Sequence, residues 1–202
     1  DYHCSLVADP GSLSFADRTP RITVAPQAVR ESRALLPADR PFIAIHPGSG
    51  SARKNWPIQR FYAVAATFKN SGFSIVWIAG AAEEGWSFPA EDMVLHQRPL
   101  PVVAAVLARS VLYLGNDSGV THLAAAVGCP VIALFGPSDP QVWAPRGERV
   151  RVIAKNADCA PCHGITSHQR TCTRKCLEEI SVDEVLAAAK KMVAEAGDTR
   201  SW

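Results

Sequence analysis

The 202-residue sequence carries little net charge and has no long hydrophobic run. Its 21 lysines and arginines nearly balance its 19 aspartates and glutamates, for a formal charge of +2. So small an excess does not argue for binding to nucleic acid or to a charged membrane surface. No apolar stretch reaches the roughly 20 residues that a transmembrane segment needs. No secretory signal is visible, although a missing N-terminus would hide one.

The sequence also lacks the composition of a disordered chain. With 48% hydrophobic and 20% charged residues, it is long enough to bury a proper core, which predicts one compact domain. Residues 1–40 differ from the rest, because they hold four prolines and only residues 28–36 have helical character. We therefore predict an interdomain connector over 1–40 and a domain over 41–202.

Strand and helix patterns alternate along the predicted domain. Alternation of this kind predicts a Rossmann-like parallel sheet with helices on both faces, with ligands bound beyond the carboxyl ends of the strands. A capping box at Ser181 and Glu184 opens a last helix that ends near Gly197. The predicted strands are 42–46, 73–79, 93–95, 111–115 and 130–135, and the predicted helices before the last are 57–69, 101–109 and 119–127.

The segment LGNDSGVTHLAAA, residues 114–126, reads as a buried strand that turns directly into a helix of small residues. A helix start leaves backbone N–H groups unpaired at the positive end of the helix dipole, which suits a phosphate. Asp117 offers a carboxylate to hydroxyl groups, Gly119 lets a ligand approach the backbone, and His122 follows Ser118 by about one turn. These features fit a nucleotide-sugar; the alternative is that Asp117 or Ser118 only caps the helix.

A second strand also ends in a glycine loop before a helix. The run PFIAI is followed by HPGSG at residues 46–50 and by KNWP at 54–57, without the GxxxxGK[ST] pattern of a P-loop. Lys54 is the natural charge partner for a diphosphate, and Ser49 can donate a hydrogen bond to its oxygens. Ser51 could replace Ser49 in this role, and Arg53 could share the role of Lys54.

Taken in order, HPGSG, KNWP, IAGAAEE and NDSGVTHLAAAVGCPVIALFGPSDP resemble the carboxyl-terminal domain of glycosyltransferase family 9, the heptosyltransferases of lipopolysaccharide core synthesis. The resemblance runs from about Pro41 to Ile180. It implies two Rossmann-like domains of the GT-B type, of which the first binds mainly the acceptor and the second mainly the ADP-sugar donor. The chain begins with Asp1, and a whole family member would need about 150 further residues before it, so we expect a fragment consisting of the second domain.

The resemblance also implies roles for individual residues. Lys54 would contact the diphosphate, Ser49 would donate to a phosphate, and Asp117 would hold sugar hydroxyls. An acidic residue after the second strand would meet the ribose, either Glu83 or Glu84, unless both are solvated loop residues. His122 would approach the phosphates, unless it is a histidine packed at the helix start. The implied donor-binding set is Ser49, Lys54, Glu83, Asp117, Ser118, Gly119 and His122.

The reaction that the resemblance implies is inverting transfer of heptose from ADP-heptose to the lipopolysaccharide inner core, without a catalytic cofactor. Lys54 and the helix amides would stabilise the leaving group. The resemblance implies that the general base is an aspartate of the first domain. We therefore expect no catalytic residue in this chain. The enzyme would work in the cytoplasm, peripherally at the inner membrane, and would meet its acceptor through the missing domain.

Four cysteines form a separate pattern. Cys159, Cys162, Cys172 and Cys176 lie within 18 residues, a spacing compatible with a structural zinc site, with His163 and His168 as alternative ligands. Disulfides or free thiols are the competing interpretations, and a reducing cytosol disfavours the former.

Two other classes of function stay open at this point. One is another GT-B nucleotide-sugar enzyme, such as a hexosaminyltransferase or an epimerase. The other is a non-catalytic zinc-ribbon module that contacts protein or nucleic acid, which would need a basic, aromatic face around Arg170, Arg174 and Lys175. The nearly neutral overall charge argues against the zinc-ribbon module.

Overall fold

The computed structural model describes residues 19–36, 40–155, 175–195 and 197. Its six strands are β1 Phe42–His46, β2 Ser74–Ala79, β3 Met93–His96, β4 Leu112–Asn116, β5 Val131–Phe135 and β6 Val150–Ala154. Its α-helices are α1 Pro26–Leu35, α2 Ile58–Asn70, α3 Leu100–Leu107, α4 Gly119–Ala126, α5 Pro140–Trp143, α6 Lys175–Glu178 and α7 Val182–Glu195. Two short 3-10 helices cover Ala52–Lys54 and Ala81–Glu83.

The strands form one sheet in the order β3-β2-β1-β4-β5-β6, and every neighbouring pair is parallel. The order reverses between β1 and β4, which is the place where open α/β sheets bind ligands. The Rossmann-like fold predicted from the sequence is thus confirmed. Strand β6 was not predicted, because it is an edge strand in which exposed Arg151 interrupts the apolar pattern.

Successive strand residues pack on opposite faces of the sheet, as the period of two requires. On one face Ile43 and Ile45 lie in a core with Phe61 of α2 and Val185 of α7. On the other face Ala44 lies in a second core, formed with residues of α3 and α4 that include Val103, Leu107 and Ala124. Burial of each large side chain contributes about 1.5–3 kcal/mol, so the two cores hold helices to both faces of the sheet.

The described part of the predicted connector lies against this domain. Helix α1 begins at Pro26, where the missing N–H is one that a first turn leaves unpaired in any case. The Arg109 guanidinium donates to the Ser32 carbonyl at 2.9 Å, and the Ile22 N–H donates to the Ala126 carbonyl at 2.8 Å. Residues 19–36 therefore contact α4 and the segment that follows α3, whereas the boundary at residue 40 stays a prediction.

Within the ranges that the structure describes, no helix is long and apolar enough to cross a bilayer.

Candidate functional site

A cleft of about 630 Å³ lies at the carboxyl ends of β1 to β4. Apolar side chains form much of its wall, including Ile78, Leu95, Val103 and Leu123, as is typical of small-molecule sites. The segments that carry the sequence motifs meet here, because parallel strands end at one edge of the sheet. Five of the seven residues predicted for the donor line this cleft: Ser49, Glu83, Ser118, Gly119 and His122.

The start of α4 forms one side of the cleft. Ser118 is the N-cap residue, with an extended backbone, and its hydroxyl accepts from the Thr121 N–H at 3.4 Å. The capping interpretation is therefore correct for the Ser118 side chain. The amides of the first turn still point outward, as at any helix start. Gly119 is exposed, and a Cβ built on it would meet nothing within 4 Å, so the backbone here is open to a ligand.

A buried network supports this helix start from below. The Thr121 hydroxyl donates to the Asn116 carbonyl, and the Tyr113 hydroxyl lies 2.9 Å from the Thr121 oxygen. Burial raises the pKa of Tyr113 far above its ordinary value, so the phenol stays protonated and acts as a hydrogen-bonding group. The network fixes the turn that carries Ser118.

The opposite side of the site is the loop of residues 47–55, here called the lysine loop. The Ser49 hydroxyl lies 2.6 Å from Asn55 Oδ1 and 2.8 Å from the Ser51 carbonyl oxygen, and it accepts from the Ser51 N–H at 3.2 Å. Since a hydroxyl has one proton, it donates to only one of these oxygens at a time. Ser49 therefore stabilises the loop. The choice between Ser49 and Ser51 as the phosphate donor stays open.

Lys54 and Asp117 meet beside the cleft. The Lys54 ammonium lies 3.0 Å from Asp117 Oδ2, and the Ser138 hydroxyl donates to the same oxygen at 2.6 Å. The two charged side chains are 27% and 11% exposed, so solvent screens the pair only in part. Arg53, which the sequence left as a second candidate, is exposed and projects from the 3-10 helix next to Lys54.

The two glutamates after β2 differ sharply in burial. Glu83 is 2% exposed, and its Oε2 accepts from the Gly80 N–H at 2.7 Å, whereas Glu84 is exposed. The side chain of Glu83 packs so closely on Gly48 that a Cβ at position 48 would overlap its carboxylate. Gly48 is therefore required for contact between the lysine loop and Glu83. Of the two candidates, Glu83 is the one at the cleft.

His46 lies at the floor of the cleft and is 5% exposed. Its Nδ1 is 2.9 Å from the Ile78 carbonyl oxygen. Burial lowers the pKa of His46 below its ordinary value, and the Ile78 carbonyl and the charge of Glu83 oppose that shift. A neutral imidazole with Nδ1 donating to Ile78 is the form that this environment favours.

Sequence reasoning missed two polar residues that hold the site together. Ser138 lies in the GPSDP segment after β5, so its position at the ligand edge of the sheet was the available signal. Asn116 is the last residue of β4 and is completely buried. Its Nδ2 donates to the Pro47 carbonyl at 2.7 Å, and its Oδ1 accepts from the Trp56 N–H at 2.9 Å.

The predicted zinc site falls mainly outside the described residues, since Cys159, Cys162 and Cys172 lie there. Cys176 is described and is buried in the core at the start of α6. Within residues 19–36, 40–155, 175–195 and 197, no group of three or more His, Cys, Asp or Glu side chains is arranged to hold a metal ion. The four-cysteine zinc site thus stays a prediction.

The family described as glycosyltransferase family 9 (heptosyltransferase) matches residues 2–172. Lipopolysaccharide heptosyltransferase 3 of Escherichia coli K12 is 29% identical over 177 residues, which cover 82% of this chain and 50% of that protein. The chain thus spans about half the length of this curated relative.

Two solved structures have the same fold over most of the chain. The glycosyl transferase family 9 protein of Veillonella parvula DSM 2008 superposes with a TM-score of 0.76 at 24% identity, covering 92% of this chain and 57% of that one. The ADP-heptose lps heptosyltransferase II of E. coli superposes with a TM-score of 0.73 at 22% identity, covering 94% and 56%.

Proposed function

This chain belongs to glycosyltransferase family 9, and we propose that it is the nucleotide-sugar donor domain of an inverting heptosyltransferase. One observation carries the proposal. Segments that follow β1, β2 and β4 converge on a single cleft at the ligand edge of a Rossmann-like sheet, with the Lys54–Asp117 pair beside it. These segments contain the residues that the motifs single out for a diphosphate, a ribose and a sugar.

The chemistry of each wall suggests where the parts of the donor lie. The diphosphate would bind to Lys54 and to the amides at the start of α4, because both supply positive potential. The nucleoside would lie along the apolar wall near Ile78 and Leu95, with its ribose toward Glu83. Since Lys54 and Ser138 both contact Oδ2 of Asp117, we assign Oδ1 to the sugar hydroxyls.

In this arrangement the chain would bind the donor and stabilise its departing nucleoside diphosphate. Negative charge grows on the leaving phosphate as the glycosidic bond breaks, and Lys54 and the α4 amides would stabilise it. The acceptor hydroxyl must also lose a proton. We assign that base to a part of the enzyme outside this chain, because Asp117 is held by Lys54 on the donor side.

We further propose ADP-heptose as the donor and the lipopolysaccharide inner core as the acceptor. The support is family membership, together with the fold shared with the E. coli ADP-heptose lps heptosyltransferase II. The acceptor would be reached through the half of the relatives' length that this chain does not span. Work on a lipid-linked acceptor would place the enzyme in the cytoplasm, peripherally at the inner membrane.

Calorimetric titration of the 202-residue chain with ADP, UDP and GDP tests the proposal. We expect ADP to bind most tightly. A preference for UDP would favour the hexosaminyltransferase alternative. Failure of a folded sample to bind any of the three nucleotides would contradict the proposed function of the chain.

A further inference from the structure

Asn116 connects two segments that are distant in sequence. Its carboxamide donates to the carbonyl of Pro47, 69 positions away, and accepts from the N–H of Trp56, 60 positions away. The side chain is completely buried at the end of β4. One side chain thus contacts the first residue of the lysine loop and the residue that follows its last, and it does so immediately before Asp117 and the start of α4.

The contacts require a carboxamide. Pro47 presents an acceptor and Trp56 presents a donor, so the side chain between them must offer one of each at nearly fixed spacing. An ionised aspartate offers no donor to Pro47, and an apolar residue offers neither partner. Because all these groups are buried, each lost bond leaves a polar group unpaired, at a cost of about 1–3 kcal/mol.

The lysine loop has further anchors, but each holds only one part of it. Ser49 and Asn55 bond within the loop and fix its shape. Trp56 is held on its other side, where its indole N–H donates to the Ile180 carbonyl at 3.0 Å. Besides the Lys54–Asp117 pair, the two hydrogen bonds of Asn116 place Pro47 and Trp56, on either side of Lys54, relative to the end of β4.

We propose that Asn116 is a positioning residue, which holds the lysine loop against the start of α4 at the spacing that a nucleoside diphosphate requires. The inference rests on the proposed function, because it assumes that Lys54 and the α4 amides grip one diphosphate. Asn116 itself is buried and acts on the ligand through Lys54 and the turn at Asp117. Replacement of Asn116 should therefore lower the affinity of the chain for ADP even in the molecules that remain folded.

The first test is the affinity of ADP for Asn116→Asp, measured by calorimetry at about pH 8 and about pH 5.5 beside the unchanged chain. At the higher pH the ionised carboxylate repels the Pro47 carbonyl, and we expect ADP to bind about tenfold more weakly. Burial raises the pKa of such a carboxyl, so at the lower pH it is protonated and can donate to Pro47 again. Relative affinity should then return toward that of the unchanged chain.

Asn55→Asp is the matched control. It adds the same charge to the same region, but Asn55 is only half-buried and offers its Oδ1 to Ser49, a contact that a carboxylate keeps. This carboxyl stays ionised at both pH values, so its effect on ADP affinity should not reverse at low pH. The inference is overturned if folded Asn116→Asp binds ADP as tightly as the unchanged chain at both pH values.

A second measurement needs no ligand and separates this inference from the proposed function. In Asn116→Leu the Trp56 N–H loses its acceptor, and its hydrogen exchange should become about tenfold faster or more, while amides in the centre of the sheet change less. The positioning role would be overturned if hydrogen exchange became faster by the same factor across the whole sheet, or if the exchange rate of the Trp56 backbone N–H did not change. If the unchanged chain fails to bind ADP, the proposed function is contradicted, and the exchange of Trp56 alone decides whether Asn116 holds the loop.

Discussion

The Lys54 ammonium lies 3.0 Å from Oδ2 of Asp117, although 63 positions separate the two residues. We assign Lys54 to the diphosphate and Asp117 to the sugar, and the two side chains form an ion pair with each other. A diphosphate must therefore compete with Asp117 for Lys54. A sugar hydroxyl that donates to Asp117 would offset this competition, because it supplies the carboxylate with another partner.

Replacement of the lysine should show whether it binds the diphosphate. For Lys54→Met, which keeps the length of the side chain and removes its charge, we expect ADP to bind about 10- to 100-fold more weakly, as for loss of a hydrogen bond to a charged group. Titration calorimetry measures this change. Arg53→Met is the control, since its exposed charge is screened and its loss should cost no more than about threefold. Equal losses in both variants would mean that Arg53 shares the role of Lys54.

Replacement of the aspartate should affect two ligands in opposite directions. Asp117→Asn releases Lys54 and removes a negative charge near the diphosphate, so ADP should bind about two- to fivefold more tightly, the equivalent of a partly exposed ion pair. ADP-heptose should bind more weakly, because its hydroxyls lose a carboxylate acceptor. The ratio of the two dissociation constants is the measurement. A shift of both ligands in the same direction would argue against contact between Asp117 and the sugar.

The contact between Gly48 and Glu83 predicts a difference between two neighbouring glycines. In Gly48→Ala the new methyl overlaps the Glu83 carboxylate, and we expect the free energy of unfolding to fall by about 1–3 kcal/mol. Gly50→Ala meets nothing within 4 Å and should change stability by no more than about 0.5 kcal/mol. Urea denaturation measures both. Addition of Glu83→Ala to Gly48→Ala should recover part of the loss, and no recovery would mean that the strain lies elsewhere.

His46 predicts a dependence of stability on pH. Its pKa in the folded chain is below the ordinary 6.5 because of burial, so the unfolded chain takes up this proton more readily. The contribution of neutral His46 to the free energy of unfolding is fully present above about pH 6.5. It is lost as the pH falls through the lower pKa of His46 in the folded chain. His46→Asn keeps a donor for the Ile78 carbonyl but does not titrate, so it should lose less stability between about pH 7 and pH 5. Urea denaturation across this pH range tests the prediction. It would be contradicted if the free energy of unfolding changed with pH to the same extent in His46→Asn and in the unchanged chain.

The sequence predicted the architecture well where local patterns are strong. The bounds of the five strands that carry continuous apolar runs were predicted to within one or two residues. Such runs are easy to recognise because parallel strands buried on both faces consist almost entirely of apolar residues. Strand β6 escaped because its exposed Arg151 breaks the run, and only pairing with β5 makes the segment a strand. The cysteine pattern could not be tested, because three of its four members lie outside the described residues.

For the candidate site, the sequence predicted which loops matter but not what their side chains contact. It left Glu83 and Glu84 equivalent, and burial against Gly48 distinguishes them. It assigned the Ser49 hydroxyl, with Ser51 as the alternative, to a phosphate, but it could not predict that this hydroxyl bonds within its own loop. Ser138 and Asn116 were missed because both act on segments distant in sequence.

The sequence by itself determined the alternating elements, the glycine turns at strand ends and hence the edge of the sheet where a ligand binds. These depend on interactions among residues close in the chain, which propensity and periodicity record. Tertiary structure alone decided that Lys54 pairs with Asp117, that Glu83 is buried and that Asn116 fixes the lysine loop. Such contacts arise only when the parallel order β2-β1-β4-β5 brings the ends of these strands side by side, because no local pattern specifies partners that are tens of positions apart.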